Sequence, residues 1–275
     1  MTLKFAAISR GKEFSPSHEI NDWQIIRRTA DCLIQLGADV TMYKESDFFE
    51  SPIPEEFIFS MVQGTTGSQK LKEIEPHKKM VINSADSVIA CYRKNMISIL
   101  PASGIPFPKS LAMPSQTLMD GELKNFDSDI VWIKRYDVHA VQKSDVIPVS
   151  RNNSDVSAEL LRFSNRGIGN VILQENVKGD VVKFYAVRER SFFHWYYLEA
   201  VNQTPFDARK LYEIADASAE LLGLYIYGGD AVISEDGTIT IIDINDWPSF
   251  APVREEAARE ISLLIYQKAL QHVNH

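Results

Sequence analysis

The chain has 275 residues, of which 45% are hydrophobic and 24% charged, and its formal net charge is −8. This length and composition predict a globular protein of about two domains that can bury a core without a disulfide or metal. The acidic balance argues against binding to nucleic acid or to an anionic membrane surface. No apolar run approaches the roughly 20 residues that span a bilayer. The cysteines, Cys32 and Cys91, are expected to be free thiols, so a cytoplasmic protein is expected.

The first third of the chain alternates strand and helix signals. Short apolar runs at residues 3–8, 40–43, 57–62 and 81–83 predict four strands. Apolar residues at helical spacing between positions 23 and 34, followed by Gly37, predict a helix between the first two strands. This alternation is typical of a parallel sheet covered by helices. We therefore expect a small α/β domain over residues 1–97.

The pattern changes from residue 98 onward. Prolines between positions 101 and 114 indicate a linker-like stretch. Helices are predicted near residues 155–163, 211–222 and 257–265. Further strands are predicted at residues 130–134, 171–174, 181–188, 192–199, 225–234 and 238–245. Because many of these strands follow one another directly, residues 98–275 are expected to form an α+β domain with antiparallel strands.

The C-terminal hairpin carries the strongest chemical signal. Asp236-Gly237 between two apolar runs predicts a two-residue turn, which would place Asp230 opposite Asp243. Side chains alternate along a strand, so Asn245 would lie on the same face as Asp243. Two carboxylates about 5 Å apart repel by roughly 3 kcal/mol and require neutralisation. Mg²⁺ would supply it; the alternative is a solvated sheet face whose carboxylates pair with Lys or Arg or shift in pKa.

Two lysines and one polar segment extend this pattern. Lys134 ends an apolar strand and Lys183 lies inside another. Each is either a solvent-facing strand residue or a cation aimed at phosphate. Residues 174–177, Gln-Glu-Asn-Val, connect two predicted strands shortly before Asp180. Such a segment could bind adenine through its backbone with a nearby carboxylate for the ribose, although an ordinary polar turn has a similar composition.

Taken together, these motifs resemble the ATP-grasp superfamily, in particular its RimK-type and glutathione-synthase-type ligases, with the inositol trisphosphate kinases as a neighbouring branch. The resemblance covers about residues 81–265. Its most specific part is the acid–x–Asn–x–x–Pro string from Asp243 to Pro248, together with Asp230 upstream. It implies an α/β N-terminal domain plus an α+β ATP-grasp domain. The two subdomains of the latter, about 98–168 (a central lid) and 169–275, would sandwich the nucleotide.

The resemblance also implies roles for individual residues. ATP and Mg²⁺, or Mn²⁺, would be the cofactors, and Asp230, Asp243 and Asn245 would bind the metal. Lys183 and Arg190 are the expected catalytic residues. Arg190 is also a candidate for binding an anionic acceptor, as are Arg188, Ser249 and Arg254; each could equally be a surface residue. The residues expected to bind the nucleotide are Lys94, Lys134, His139, Gln174, Glu175, Val177, Asp180 and Lys183.

One segment departs from the family pattern. Family members usually carry a flexible glycine-rich loop over the phosphates after the strand of Lys134, whereas residues 135–143 contain no glycine. Either Arg135, His139 and Lys143 contact phosphate or acceptor through their side chains, or the site is specialised or impaired.

The resemblance implies an ATP- and Mg²⁺-dependent ligase of the carboxylate-amine or carboxylate-thiol type, acting through an acylphosphate. The acceptor would be a small molecule or peptide with a carboxylate; neither a nucleic acid nor a membrane partner is expected. Two alternatives stay open. One is a kinase of the same fold that phosphorylates a hydroxyl of a small molecule, and the other is a non-catalytic nucleotide-binding module.

Overall fold

The structure is a computed structural model that describes residues 2–15, 19–116, 118, 121–138 and 142–273. Its strands form three four-stranded sheets, one in each third of the chain. The first sheet is parallel, and the other two are antiparallel. This architecture confirms the predicted α/β unit followed by an α+β portion.

The N-terminal sheet confirms the four predicted strands. They are β1 (Lys4–Ile8), β2 (Asp39–Tyr43), β3 (Phe57–Ser60) and β4 (Met80–Ile82), in the order β2-β1-β3-β4. The helices of this unit are α1 (Glu19–Gln35), α2 (Glu45–Glu50), α3 (Thr65–Ile74) and α4 (Ala85–Ala90). Helix α1 buries Ile25, Ile26 and Leu33 on one face. It ends just before Gly37, whose φ of +88° is the left-handed conformation that glycine adopts without strain.

The central sheet is reached through helix α5 (Arg93–Ala102). Its strands are β5 (Ser110–Pro114), β6 (Ile130–Arg135), β7 (Val146–Ser150) and β8 (Asn170–Glu175), in the order β5-β8-β6-β7. Helix α6 (Asn153–Asn165) covers one face, where Val156, Leu160 and Phe163 pack against Val131 and Ile133.

Strands β5 and β7 were not predicted from the sequence. Each contains a proline, Pro114 in β5 and Pro148 in β7. Pro114 belongs to the proline stretch that is interpreted above as linker-like. Both strands lie at the edges of the sheet, where a residue without a backbone N–H is tolerated. Proline therefore marks the borders of this sheet rather than a break in it.

The C-terminal sheet positions most of the candidate site. Its strands are β9 (Asp180–Val187), β10 (Phe192–Glu199), β11 (Ile226–Ile233) and β12 (Ile239–Asp246), in the order β10-β9-β11-β12. One face packs against helix α7 (Ala208–Leu221) through Val182, Phe184, Leu211 and Ala215. The other face carries Lys183, because side chains alternate along β9.

The last helix, α8 (Arg254–Val273), returns to the N-terminal unit and packs against α1. Residues of both ends of the chain share one core, in which the ring of Trp247 stacks on that of Phe59 with 6.0 Å between the ring centres. None of the described helices is both long enough and apolar enough to cross a membrane.

The sheets divide the chain differently from the expected boundaries at 97 and 168. Helix α5 runs across position 97 without interruption. Strand β8 pairs with β5 and β6, so the central sheet continues to Glu175. The strand lies beyond α6 in sequence, and only its pairing partners assign it to this sheet.

Candidate nucleotide and metal site

The β11–β12 hairpin brings Asp230 and Asp243 directly opposite each other, as predicted. The predicted two-residue turn is wrong. The amide of Ser234 donates to the carbonyl of Thr238, which leaves a three-residue loop with Gly237 at φ +80°. A β-bulge next to Asp230 then shifts the register by one residue. The loop is one residue longer than predicted, and the bulge shifts the register by one residue in the opposite sense. The two effects on the register cancel, so the two carboxylates still face each other.

Three charged residues on neighbouring strands form one row across the sheet. Asp230 lies opposite Lys183 on one side and Asp243 on the other. The Lys183 ammonium donates to Asp230 at 2.6 Å. Burial disfavours the charged form of Lys183. The negative charge of Asp230 and its hydrogen bond to the ammonium outweigh the effect of burial, so the pKa of Lys183 is raised. Burial also raises the pKa of Asp230, although Lys183 opposes that rise.

The next row of the sheet contains Tyr185, Gly228 and Asn245. Asn245 therefore lies on the same face as Asp243. A Cβ atom at Gly228 would come within 2.8 Å of the ring of Pro248, so the proline of the acid–x–Asn–x–x–Pro string packs against a position that only glycine can fill.

The oxygen donors of this face fit Mg²⁺. They comprise the carboxylates of Asp230 and Asp243 and the amide of Asn245. Magnesium is usually held by one or two carboxylates together with substrate phosphates rather than by an all-protein cage. The described part of the chain contains no cluster of three or more His, Cys, Asp or Glu side chains able to hold a metal.

Lys134 reaches this face from the central sheet. It is buried, and its ammonium lies 3.4 Å from the carbonyl oxygen of Ile242, the extra residue of the bulge. Burial lowers the pKa of Lys134 to about 8, and the nearby charge of Asp243 only partly opposes this. The cavity between the two sheets, which Lys134 and Gln174 line, has a volume of about 10 Å³. This narrow space is the cleft between the central and C-terminal sheets.

Arg93 occupies this cleft, and sequence reasoning assigned it no role. It is the first residue of α5 and is 5% exposed. Its guanidinium donates to the Asp243 carboxylate and to the carbonyl of Val138, each at 3.2 Å. The sequence contains one indication of a role for Arg93. Arg93 and Lys94 begin a helix whose first turn has no acidic residue, and cations are disfavoured at this position by the helix dipole, so their presence calls for a functional reason.

The first residues of the glycine-free segment, 135–138, lie against α5. The amide of Lys94 donates to the carbonyl of Tyr136, and its ammonium lies 5.7 Å from the centre of the Tyr136 ring. Arg135, expected as a phosphate or acceptor ligand, instead forms ion pairs with Asp137 and Asp145. His139 lies outside the described residues. The remaining residue of that prediction, Lys143, is exposed in a short 3₁₀ turn.

The hinge residues take different positions. Gln174 is buried at the cavity, and its side-chain amide donates to the Ser110 hydroxyl. The carboxylate of Glu175 accepts from the amides of Asp127 and Ser128, so it organises the loop before β6. Val177 is half-buried between β8 and β9.

Asp180 does not line the cleft, contrary to expectation. It lies on the α7 face of the sheet, because β9 places its side chain opposite to that of Lys183. Its carboxylate accepts from the amides of Val201, Asn202 and Thr204 and from the Thr204 hydroxyl. These hydrogen bonds lower its pKa to about 2. Asp180 therefore organises the loop between β10 and α7.

Arg190 is likewise distant from the charged row. It lies in the β9–β10 turn, where it forms an ion pair with Glu260 and a hydrogen bond with Gln267 of α8. Strand β9 ends at Val187, about 13 Å from Lys183 at 3.3 Å per residue. Arg190 is thus not part of the charged row, and its catalytic role stays a prediction.

The other acceptor candidates divide into two groups. Arg188 forms a surface pair with Glu220. Arg254, at the start of α8, donates to Asn21 of α1 at 2.7 Å, and Ser249 lies in the irregular segment between β12 and this helix. Arg254 and Ser249 thus remain close to the N-terminal unit.

A cavity of about 690 Å³ opens in the N-terminal unit, at the ends of β1 and β2. Its lining includes Trp23, Phe49 and the buried carboxyl group of Glu45. Burial raises the pKa of Glu45 to about 7, although the Gly11 amide donates a hydrogen bond to it. Arg10 also lines the cavity and donates to the carbonyls of Asp246 and Trp247, which follow Asn245 in the chain.

Comparison of the sequence with protein-family models and with curated proteins finds no match. The fold, in contrast, is similar to solved ligases. The D-alanine-D-alanine ligase from Coxiella burnetii has a TM-score of 0.75 at 13% identity, covering 99% of this chain and 97% of that chain. The D-alanine-D-alanine ligase from Bacillus anthracis complexed with ATP has a TM-score of 0.73 at 12% identity, covering 99% of each chain.

A RimK domain ATP-grasp protein from Sphaerobacter thermophilus has a TM-score of 0.71 at 16% identity, covering 96% of this chain and 99% of that chain. The chain therefore has the ATP-grasp fold, which the sequence resemblance implied. The similarity extends over nearly the whole chain, including the N-terminal unit that lay largely outside the resemblance.

Proposed function

We propose that this protein is an ATP-dependent ligase that joins a carboxylate to an amine or thiol. The observation that carries the proposal is the convergence of charges from two sheets. The C-terminal sheet presents Asp230, Asp243 and Asn245 with Lys183, and the central sheet presents the buried Lys134 to the same face. A nucleotide triphosphate with its metal is the ligand that complements both signs of charge.

The cations would act on phosphate. Lys134 and Lys183 are buried or half-buried, where a positive charge acts on an anion far more strongly than in water. Lys94, at the start of α5, is a third candidate. These groups would offset charge on the transferring phosphoryl group, and positioning of this kind accounts for most catalysis of phosphoryl transfer. No side-chain nucleophile is required.

The carboxylates would hold the metal. When bound, Mg²⁺ would neutralise the nucleotide phosphates. Asp230 and Asp243 would supply charged oxygens and Asn245 a neutral one, in the two rows that the hairpin register creates. The bulge contributes as well, because it turns the Ile242 carbonyl towards Lys134.

The acceptor would bind in the N-terminal cavity. A volume of about 690 Å³ suits a small molecule or the end of a peptide. Arg10 joins this cavity to the backbone that follows Asn245, so an acceptor lying there would extend towards the charged row. The acceptor carboxylate would be phosphorylated to an acylphosphate, and the amine or thiol would then displace phosphate.

The experiment is to incubate the protein with ATP, Mg²⁺ and a panel of amino acids and dipeptides, with hydroxylamine as a trap. An acylphosphate reacts with hydroxylamine to give a hydroxamate, so a ligase yields ADP, phosphate and a hydroxamate. A stable phosphorylated alcohol without hydroxamate would identify a kinase instead. Failure to bind ATP in a direct titration would reject both activities.

A further inference from the structure

A second pocket in the N-terminal unit shares helix α2 with the large cavity. Its volume is about 380 Å³, which is within the range of small-molecule sites. Glu45 and Phe49 of α2 line the large cavity, whereas Phe48 lines the second pocket, and none of the described residues lines both. We call it the basic pocket, and its lining includes Phe48, Ile53, Lys70, Ile74, His77 and Lys78.

Two lysines of the basic pocket have backbone partners. The Lys70 ammonium donates to the carbonyl of Phe49 at 2.9 Å, and the Lys78 ammonium donates to the carbonyl of Ile53. Neither lysine forms an ion pair with a carboxylate of the described residues. An ammonium group has three donors, so each lysine is held in place by one hydrogen bond and keeps further donors for a ligand.

Neighbouring lysines of the same region behave differently. Lys72 forms an ion pair with Asp86 at 2.6 Å, and Lys79 forms one with Glu56 at 2.9 Å. Neither Lys72 nor Lys79 lines the basic pocket. Carboxylates are abundant in this chain, whose formal net charge is −8. The lysines that face solvent here are therefore paired, while those that face the pocket are not.

The basic pocket consequently has an excess of positive charge. Glu50 lines it as well, so the lining carries a net charge of +1 when His77 is neutral. Lys70 and Lys78 are half-buried, whereas Glu50 and His77 are exposed. A charge that is partly removed from water attracts an anion more strongly than an exposed one does. The pocket thus favours an anionic ligand.

The rest of the lining is apolar. Phe48 and Ile53 are buried, and Ile74 is half-buried. The Lys70 ammonium lies 5.4 Å from the centre of the Phe48 ring, so the charged and the apolar parts of the pocket are adjacent. An inorganic anion would leave the apolar part uncovered, whereas an organic anion covers both parts.

We propose that the basic pocket binds a small carboxylate with an aromatic or aliphatic body. Lys70 and Lys78 bind the carboxylate, and the side chains of Phe48, Ile53 and Ile74 pack against the apolar body. The site is separate from the cleft and from the large cavity. Its ligand contacts α2, the helix that also borders the large cavity.

The test is a calorimetric titration of the full chain with three probes. They are 4-phenylbutyrate, its neutral amide and inorganic phosphate. Wild type should bind the carboxylate saturably. The amide should bind about tenfold more weakly because it lacks the charge, and phosphate should also bind about tenfold more weakly because it lacks the apolar body. No binding of the carboxylate, or equal binding of either other probe, would overturn the proposal.

Four variants locate the bound carboxylate. Lys70→Gln and Lys78→Gln should each weaken its binding about tenfold, and Lys70→Gln carries the test if Lys78→Gln does not fold. Lys72→Gln, on the same helix as Lys70 but outside the pocket, should bind as wild type does. Lys44 lines the large cavity. If Lys44→Gln weakens binding and the two pocket variants do not, the carboxylate occupies the large cavity and the proposal is wrong.

Nucleotide binding provides an independent control. The affinity for the non-hydrolysable ATP analogue AMP-PNP with Mg²⁺ should be the same in wild type, Lys70→Gln and Lys78→Gln, because neither lysine lines the cleft. A loss of this affinity in both variants would show that the lysines support the fold as a whole, which contradicts the proposal. Failure of wild type to bind AMP-PNP would contradict the proposed function alone, since the basic pocket does not depend on it.

Discussion

Asp230 and Asp243 of the cleft and Glu45 of the N-terminal cavity are carboxyl groups that are stabilised in different ways. In the cleft, Asp230 and Asp243 each pair with a cation, Lys183 or Arg93. In the cavity, the hydrogen bond received by Glu45 comes from a neutral backbone amide, that of Gly11. Burial consequently raises the pKa of Glu45 to about 7.

The difference shows how each region would respond to a ligand. Carboxylates that already face cations can exchange those partners for a metal, while the cations move to phosphate. A carboxyl group with an amide partner instead changes its protonation close to neutral pH. The cleft is thus arranged for charged ligands, and the cavity is sensitive to pH.

The largest expected effect in the cleft comes from Asp230→Ala. The substitution leaves the partly exposed Lys183 ammonium without its carboxylate, and an ionised group that loses its hydrogen-bond partner in this way costs about 3 kcal/mol. Urea unfolding measures the loss. As a control, Glu213→Ala breaks the exposed pair with Arg209 and should cost less than about 0.5 kcal/mol. If Asp230→Ala lowers the free energy of unfolding no more than the control does, water solvates the Lys183 ammonium as well as Asp230 does, and the prediction is wrong.

In the cavity, the substitution Glu45→Gln should raise the free energy of unfolding, whereas Asp230→Ala in the cleft should lower it. The folded protein retains a proton on Glu45 up to pH of about 7, whereas the unfolded chain loses it near 4.5. The folded state therefore loses stability as pH rises between these values. Glutamine cannot ionise, so the variant should be more stable than wild type by about 2–3 kcal/mol at pH 8 and nearly equal at pH 4. Equal unfolding free energies at pH 8 would contradict the burial argument.

Lys134→Met tests the side of the cleft formed by the central sheet. With a pKa of about 8, Lys134 is largely neutral at pH 9, and a bound phosphate would favour its charged form. Binding of AMP-PNP at pH 9 should therefore take up protons, which calorimetry in buffers of different ionisation enthalpy detects. The variant should lose this uptake and bind about tenfold more weakly. Unchanged uptake would assign the proton to another group.

The smallest effect is expected from Arg190→Ala. Its partner Glu260 is partly exposed, so the pair contributes about 1 kcal/mol or less. Because Arg190 lies beyond the end of β9, AMP-PNP affinity should remain that of wild type. A marked loss of affinity would restore the original expectation of a catalytic Arg190.

The sequence predicts the strands that carry the site better than it predicts their turns. The Asp-Gly signal locates the hairpin, and apolar alternation identifies both strands. Neither reveals that a longer loop and a bulge offset each other around Asp230. A bulge depends on contacts from elsewhere in the fold, here the amide of Ile241 bound to the carbonyl of Pro106.

Residue roles were predictable only where the local pattern determines the direction of the side chain. Lys183 and Asp230 follow from strand alternation. Alternation also places Asp180 on the face opposite to Lys183, but it does not reveal the loop that the Asp180 carboxylate organises, because that loop follows the next strand in the chain. Arg93 could not be placed either, since its partner Asp243 lies 150 positions away in sequence.

The central claim is that ATP and a divalent metal bind at Asp230, Asp243 and Lys134. The most direct measurement is the melting temperature of wild type and Asp243→Asn with and without Mg²⁺ and AMP-PNP. A ligand at 100 times its dissociation constant stabilises the folded state by about 2.7 kcal/mol. We predict a rise of the melting temperature in wild type that Asp243→Asn loses. No rise in wild type, or the same rise in both proteins, would contradict this account.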